Sequence, residues 1–307
     1  MGDRSTSQCP ICETQANELG AKRGGWRPLD YNLARCGNCG FAFVTNPSTD
    51  FAAIYDEAYY RGAGAAPLVD YLGELEHPDT IRRLEWEGVA DAVRRLAPFD
   101  SRTRWLDYGC GMGGLVDYLS RVHGVEAEGF DEGMPQVCVA LARGARIDRT
   151  TLNARAAAYD VITAIEVLEH VLDPLAVLGE IARLLKPGGV FFYTTGNAQK
   201  FKRDFLKWGY VRPEIHVSFY EPGTLRLGFD KVGLESLGVS MNSGFQSIIA
   251  FKILKELRKD RLAAWMKLIP WPIVARMVDA RYGVTAFPMA RKARIDGSAG
   301  SPEKATA

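Results

Sequence analysis

Two hydrophobic rhythms divide the chain. Apolar side chains first recur three and four apart, at Ile81, Leu84, Val89, Ala92, Val93 and Leu96, just ahead of Pro98. That spacing places them on one face of a helix, which the proline ends. From residue 104 onward, short apolar runs alternate with helical stretches. Trp105–Tyr108, Val125–Phe130, Tyr159–Ile165 and Val190–Thr194 read as strands, and Leu115–Arg121 and Leu175–Leu185 as helices, with a turn at Pro187-Gly188-Gly189. Strands separated by helices predict a parallel, doubly wound sheet. Leu234–Val239 and Ser247–Ile253 read as two closing strands, a hairpin at one edge. The tail from Ile295 is rich in Gly, Ser, Pro and Lys and is expected to be disordered.

Composition places limits on function. At 307 residues, 47% apolar and 24% charged, the chain suits one sizeable α/β core and a smaller module. A net charge of +1 argues against a protein that coats nucleic acid. No apolar run reaches the ~18 residues of a membrane span, and the first residues lack the apolar core of a signal peptide. Six cysteines without such a leader predict a reduced, cytoplasmic protein. Charge is uneven, however. Residues 252–294 hold eleven Lys/Arg and three acids, interleaved with Trp265, Trp271 and aliphatic residues. Three readings stay open for that segment: a helical extension, a peripheral contact with an anionic membrane, or a lid over a polyanionic substrate.

Four cysteines form two knuckles, Cys9-x2-Cys12 and Cys36-x2-Cys39. Each can turn two thiolates toward one ion, and four soft ligands are what a tetrahedral zinc requires. With every position taken by protein, the ion would be structural and not catalytic.

The strand Trp105–Tyr108 runs into Gly109-Cys110-Gly111-Met112-Gly113, and Asp131 ends the next strand, where a carboxylate can accept both hydroxyls of a ribose. Asp107 stands two residues before the first glycine. A carboxylate there repels pyrophosphate but suits an ammonium or sulfonium. On Leu106–Gly113, Gly129-Phe130-Asp131, Tyr159–Ile162 with Glu166–Pro174, and Leu184–Gly189, the chain resembles the class I S-adenosylmethionine-dependent methyltransferases over residues 80–250. The resemblance implies a seven-stranded Rossmann-like sheet whose last strand is antiparallel. It also implies a cofactor site of Asp107, Gly109, Cys110, Gly111, Asp131 and Glu166.

Arg35–Phe43 and the aromatic run Tyr55–Tyr60 resemble the zinc-binding head of sugar C-methyltransferases and smaller natural-product relatives, whereas Glu166-x2-Glu169-His170 is close to ubiquinone-type O-methyltransferases. The expected architecture is therefore a zinc ribbon over 1–46, an aromatic and helical connector over 47–100, the methyltransferase core over 101–253, and a basic helical extension with its tail over 254–307. The expected function is methyl transfer from S-adenosylmethionine to carbon or oxygen of a small acceptor, sugar-linked or from a natural-product pathway. No nucleic-acid partner is expected. His170 and His216 are candidate bases with ordinary pKa values near working pH. Tyr220 is a candidate donor to an oxyanion, and Tyr55, Tyr59, Tyr60 and Asn197 are candidate substrate contacts. Two rival readings are a zinc-ribbon binding module on a non-catalytic core, and an RNA or protein methyltransferase.

Overall fold

The computed structural model describes residues 7–65, 70–77, 79–237, 244–259, 264–282 and 289–293. Among these residues, eleven strands lie in two sheets. β1 (Ala16–Arg23), β2 (Asp30–Cys36) and β3 (Ala42–Val44) form an antiparallel meander after the first cysteine knuckle. The large sheet comprises β4 (Arg104–Tyr108), β5 (Glu126–Phe130), β6 (Ala145–Arg146), β7 (Tyr159–Ile165) and β8 (Leu185–Thr194), all mutually parallel, with two strands beyond β8. β9 (Ser218–Phe219) leaves this core and joins β3 in the small sheet. β10 (Leu234–Leu237) and β11 (Met289–Lys292) complete the large sheet, whose order is β10-β11-β8-β7-β4-β5-β6. Among the described strands of this sheet, β11 alone runs antiparallel to both of its neighbours, β8 and β10.

This is the expected seven-stranded sheet, with one correction. Ser247–Ile253 is not a closing strand; it lies within the helix Gly244–Glu256. The closing strand comes from Met289–Lys292, inside the segment expected as a helical extension, and it slots between β8 and β10. The tail from residue 294 lies outside the described residues.

Helices cover the faces of the large sheet because their apolar sides match it. In the helix Arg82–Leu96, Val89, Ala90, Ala92 and Val93 are buried, as the spacing predicts. It packs on Gly244–Glu256, where Ile248, Ile249, Ala250 and Phe251 are all buried. The helix Gly114–His123 starts at Gly113, whose φ of 77° and approach to Arg143 exclude a side chain: a Cβ would lie 1.8 Å from the Arg143 carbonyl oxygen. The turn between β4 and that helix therefore opens toward the carboxyl ends of the strands. In open α/β sheets that is where ligands bind.

Candidate functional site

At those carboxyl ends lies a cavity of 1710 Å³. Ordinary ligand pockets measure ~300–1,000 Å³, so this one has room for two ligands side by side. Its walls come from β4, β5, β7 and β8, from the connector, and from the loop 196–216.

One end is polar and glycine-lined. Asp107 ends β4 with its Oδ1 accepting from Thr163 Oγ1 at 2.8 Å, and burial raises its pKa to about 7. Gly109 has φ 78°, and a Cβ there would strike Val167 at 2.4 Å, so the loop follows a course open only to glycine. Gly111 N–H donates to Asp131 Oδ2 at 2.9 Å and Gly133 N–H to Oδ1 at 3.3 Å. These bonds aim the Asp131 carboxylate at the cavity, and burial raises its pKa. Cys110 packs under Gly129 and accepts from Arg146 Nη1 at 2.9 Å. Asp107, Gly109, Cys110, Gly111 and Asp131 thus line one cavity together.

The other end holds the histidines. Glu166 caps β7 at φ 54°, a conformation a non-glycine residue adopts at a cost. Its Oε1 pairs with Lys252 Nζ at 2.7 Å. Burial opposes the Glu166 charge, but Lys252 outweighs it and holds the carboxyl down at about 2. Glu169 lies three residues on, in the short 3-10 helix Leu168–His170. Its Oε2 accepts from Thr195 Oγ1 at 2.8 Å, and its Oε1 accepts from the Tyr210 hydroxyl, which also donates to Glu166 Oε2 at 3.4 Å. Burial and the neighbouring Glu166 charge lift Glu169 to about 8.

His170 and His216 meet edge to face, their ring centroids 4.9 Å apart. His170 Nδ1 lies 2.8 Å from the Tyr55 hydroxyl. His216 Nδ1 lies 2.6 Å from the Tyr210 carbonyl oxygen. A carbonyl only accepts, so that nitrogen carries the hydrogen, and His216 Nε2 keeps the lone pair. Burial pushes both rings down, His170 to about 4 and His216 to about 3. Both are neutral at physiological pH and not poised near it, which corrects the expectation from their ordinary values. One donor atom each from Glu169, His170 and His216 lie within 4.8 Å of one another.

Tyr55, Tyr59 and Tyr60 line the cavity, with Tyr59 meeting Tyr55 edge to face at 5.0 Å and Tyr60 edge to face at 5.3 Å. Asn197 also lines it, but its side-chain oxygen accepts from Gln199 N–H at 3.1 Å. Tyr220 does not belong to this site. It is buried beneath Phe41, and its hydroxyl donates to the Leu168 carbonyl at 2.8 Å. Sequence reasoning missed Glu169, although it stood in the quoted motif. It also missed Tyr210 and Lys252, which no local pattern marks.

Residues 81–238, just over half of the chain, match a family model described as a methyltransferase domain. The chain belongs to that family. It is an S-adenosylmethionine-dependent methyltransferase. A ubiquinone biosynthesis O-methyltransferase of Vibrio cholerae serotype O1 is 35% identical over 189 residues, 56% of this methyltransferase and 75% of the relative. One from Parvibaculum lavamentivorans is 40% identical over 113 residues, 34% of this chain and 44% of that one. Among solved structures, phosphoethanolamine N-methyltransferase 2 of Haemonchus contortus with S-adenosyl-L-methionine aligns at a TM-score of 0.52. That alignment covers 90% of this chain and 71% of the other at 14% identity. The [4+2]-cyclase SpnF aligns at 0.51 with 18% identity, covering 81% and 98%. At such identities the two structures share the fold.

The matched span begins at residue 81, so the cysteine head of the methyltransferase lies outside it. In that head Cys9 Sγ lies 3.5 Å from Cys39 Sγ, and Cys12 Sγ 3.4 Å from Cys36 Sγ. All four sulfurs fall within 4.8 Å of one another. Four thiolates around one centre with Zn–S near ~2.3 Å fit that spacing. Among the described residues, no helix is long and apolar enough to cross a membrane.

Proposed function

We propose that this methyltransferase methylates a hydroxyl oxygen of a small acceptor of the hydroxylated aromatic type, with the cofactor on the Asp107–Asp131 side and the acceptor on the His170–His216 side. The observation that carries this reading is the fixed tautomer of His216, which leaves Nε2 its lone pair in a ring that meets His170 edge to face and converges with it and Glu169 within 4.8 Å. S-adenosylmethionine supplies an electrophilic methyl on sulfonium. Bound beside Asp107 and Asp131, it would pass that methyl to the acceptor oxygen, whose proton His216 Nε2 would take. As pH rises through about 8 and Glu169 ionises, its carboxylate would stabilise the imidazolium. The likeness to ubiquinone biosynthesis O-methyltransferases supports oxygen and an aromatic acceptor. The sugar-linked acceptor expected from the head has no such support. The four sulfurs would hold one structural zinc.

A second reading rests on the convergence of Glu169, His170 and His216 within 4.8 Å. A divalent cation held there would lower the pKa of a bound hydroxyl by its charge, and the two weakly basic rings would then be ligands.

Exposed Leu257, Trp265, Leu268, Ile273 and Met277, beside Arg258, Lys259, Arg276 and Arg281, support a peripheral contact with anionic lipid. Leu257 also lines the cavity, so an amphiphilic acceptor would pass from that surface to the site.

The test is turnover of 3,4-dihydroxybenzoate against a nucleotide sugar, followed as the gain of one methylene by mass. His216→Ala should lose at least about a hundredfold in kcat while keeping its affinity for S-adenosylhomocysteine. Asp131→Ala should lose about tenfold or more in that affinity. Methylation of the sugar alone would overturn the aromatic reading. Activity abolished by EDTA and restored by Mg2+ would favour the cation.

A further inference from the structure

Among the contacts that join the head to the core, three converge on the acceptor side of the cavity. β3 pairs with β9 at Ala42↔Phe219 and Phe43↔Ser218, and Val44 N–H donates to the Val217 carbonyl at 2.9 Å. Val217 N–H donates in turn to the Glu169 carbonyl at 2.8 Å. His216 is the next residue in the chain, so a single peptide link separates it from this ladder.

The second tie grips the cysteine knuckle itself. Thr224 Oγ1 donates to the Cys39 carbonyl at 2.6 Å. Gly40, at φ 78°, lies so close to Glu221 that a Cβ would stand 2.5 Å from its Cδ. The third tie is aromatic. Phe41 packs on Tyr220 at 5.2 Å, and the Tyr220 hydroxyl holds the carbonyl of Leu168, the neighbour of Glu169. These three run from residues 39–44 to residues 216–224 or 168–169, whereas Gly25 and Trp26 N–H, farther along the head, donate to the Glu214 carboxylate. An ion that draws Cys36 and Cys39 toward Cys9 and Cys12 fixes the turn from which β3 starts. A structural ion elsewhere in the chain would stabilise the fold without touching the site; this one lies at the root of the strand that holds it.

We propose that the ion of the cysteine head is a positioning device: through β3, β9 and Thr224 it sets where His216 and Glu169 lie. Its consequence for turnover rests on the acceptor-site reading above; its structural consequence does not. Thr224 is a positioning residue here. It is fully buried and lines neither the cavity nor the cysteine cluster. Valine would keep its shape and remove only the hydroxyl.

The experiment compares hydrogen exchange, metal content and kinetics at 20 °C for the full zinc-loaded chain, Thr224→Val, Thr224→Ser and chelator-stripped protein. Thr224→Val should keep its zinc and bind S-adenosylhomocysteine within about twofold of the unaltered chain. Its amides at 217–219 should exchange about tenfold faster, because the hydroxyl's bonds to the Cys39 carbonyl and from the Glu221 N–H are both lost, and kcat should fall several-fold at unchanged KM for S-adenosylmethionine. Thr224→Ser should restore both. Stripping the metal should speed the same amides while β4 and β5 stay protected. Unaltered exchange at 217–219 in Thr224→Val would overturn the proposal. So would a stripped protein that loses protection equally at β4 and β5. Faster exchange with unchanged kcat would uphold the coupling and overturn the acceptor-site reading instead.

Discussion

Glu169 shows how a single residue sets the behaviour of the cavity. Its carboxyl is buried, stands close to the Glu166 charge, and is raised to about 8. Unfolded, it would ionise near 4.5, so between those values the folded chain retains a proton that the unfolded chain releases. The stability this proton represents is complete below pH 4.5 and lost as pH rises through 8. Glu169→Gln resembles the protonated acid and loses nothing over that range. The variant should therefore melt higher than the unaltered chain, by an amount that grows from pH 5 to 8 and then levels off. A gain of about 1 kcal/mol would read as roughly 2–4 °C; a constant difference across pH would count against the raised carboxyl. In the same variant kcat/KM should lose its rise near pH 8. The residues legible in the sequence were those fixed by local geometry, such as Gly109 and Asp131, which the β4 turn dictates. Tyr220 was misread because its hydroxyl is spent on a backbone carbonyl, and that partner lies 52 residues away.

Among elements, the closing part of the large sheet was hardest to read. Ile248–Phe251 is buried on every side between the helix Arg82–Leu96 and the sheet, and burial all round erases the helical period. A short continuous apolar run of that kind looks the same whether helix or strand. β11 was hidden for the opposite reason. Its Arg291 and Lys292 carry charge, yet their heads reach out to the carbonyls of Leu96 and Leu185, each at 2.9 Å, while the strand itself lies inside the sheet. β7 and β8 were legible because parallel strands buried on both faces read as apolar runs, whereas β5 alternates Glu126 and Glu128 with buried Ala127. The correction has a measurable consequence. Ala290 is fully buried between β8 and β10, opposite Phe191. Ala290→Asp would bury an unpaired charge there and should cost about 3 kcal/mol or more in chemical denaturation. Near-neutrality would place 289–292 outside the sheet.

Across the whole molecule, the cysteine spacing announced a small metal-binding unit but not its continuity with the core. Cys9, Ile11, Cys36, Phe41 and Phe43 belong to the same buried cluster as Leu106, Leu168, Tyr193 and Tyr220. Sequence periodicity describes each element against its own surroundings, and a core shared between the head and a strand about 175 residues later leaves no local trace. Shared apolar burial makes unfolding cooperative, because opening either part exposes surface of the other. Calorimetry of the zinc-loaded chain should therefore show one transition, with no separate melting of the head. Cys36→Ser should release the zinc and lower that single midpoint by several degrees, since a closed four-thiolate site contributes its binding free energy to folding. The sheet should persist at 20 °C, visible as an intact far-ultraviolet circular dichroism spectrum. Two resolved transitions in the zinc-loaded chain would mean that the head folds alone, and the β3–β9 pairing would then be a contact between finished units, not part of one core.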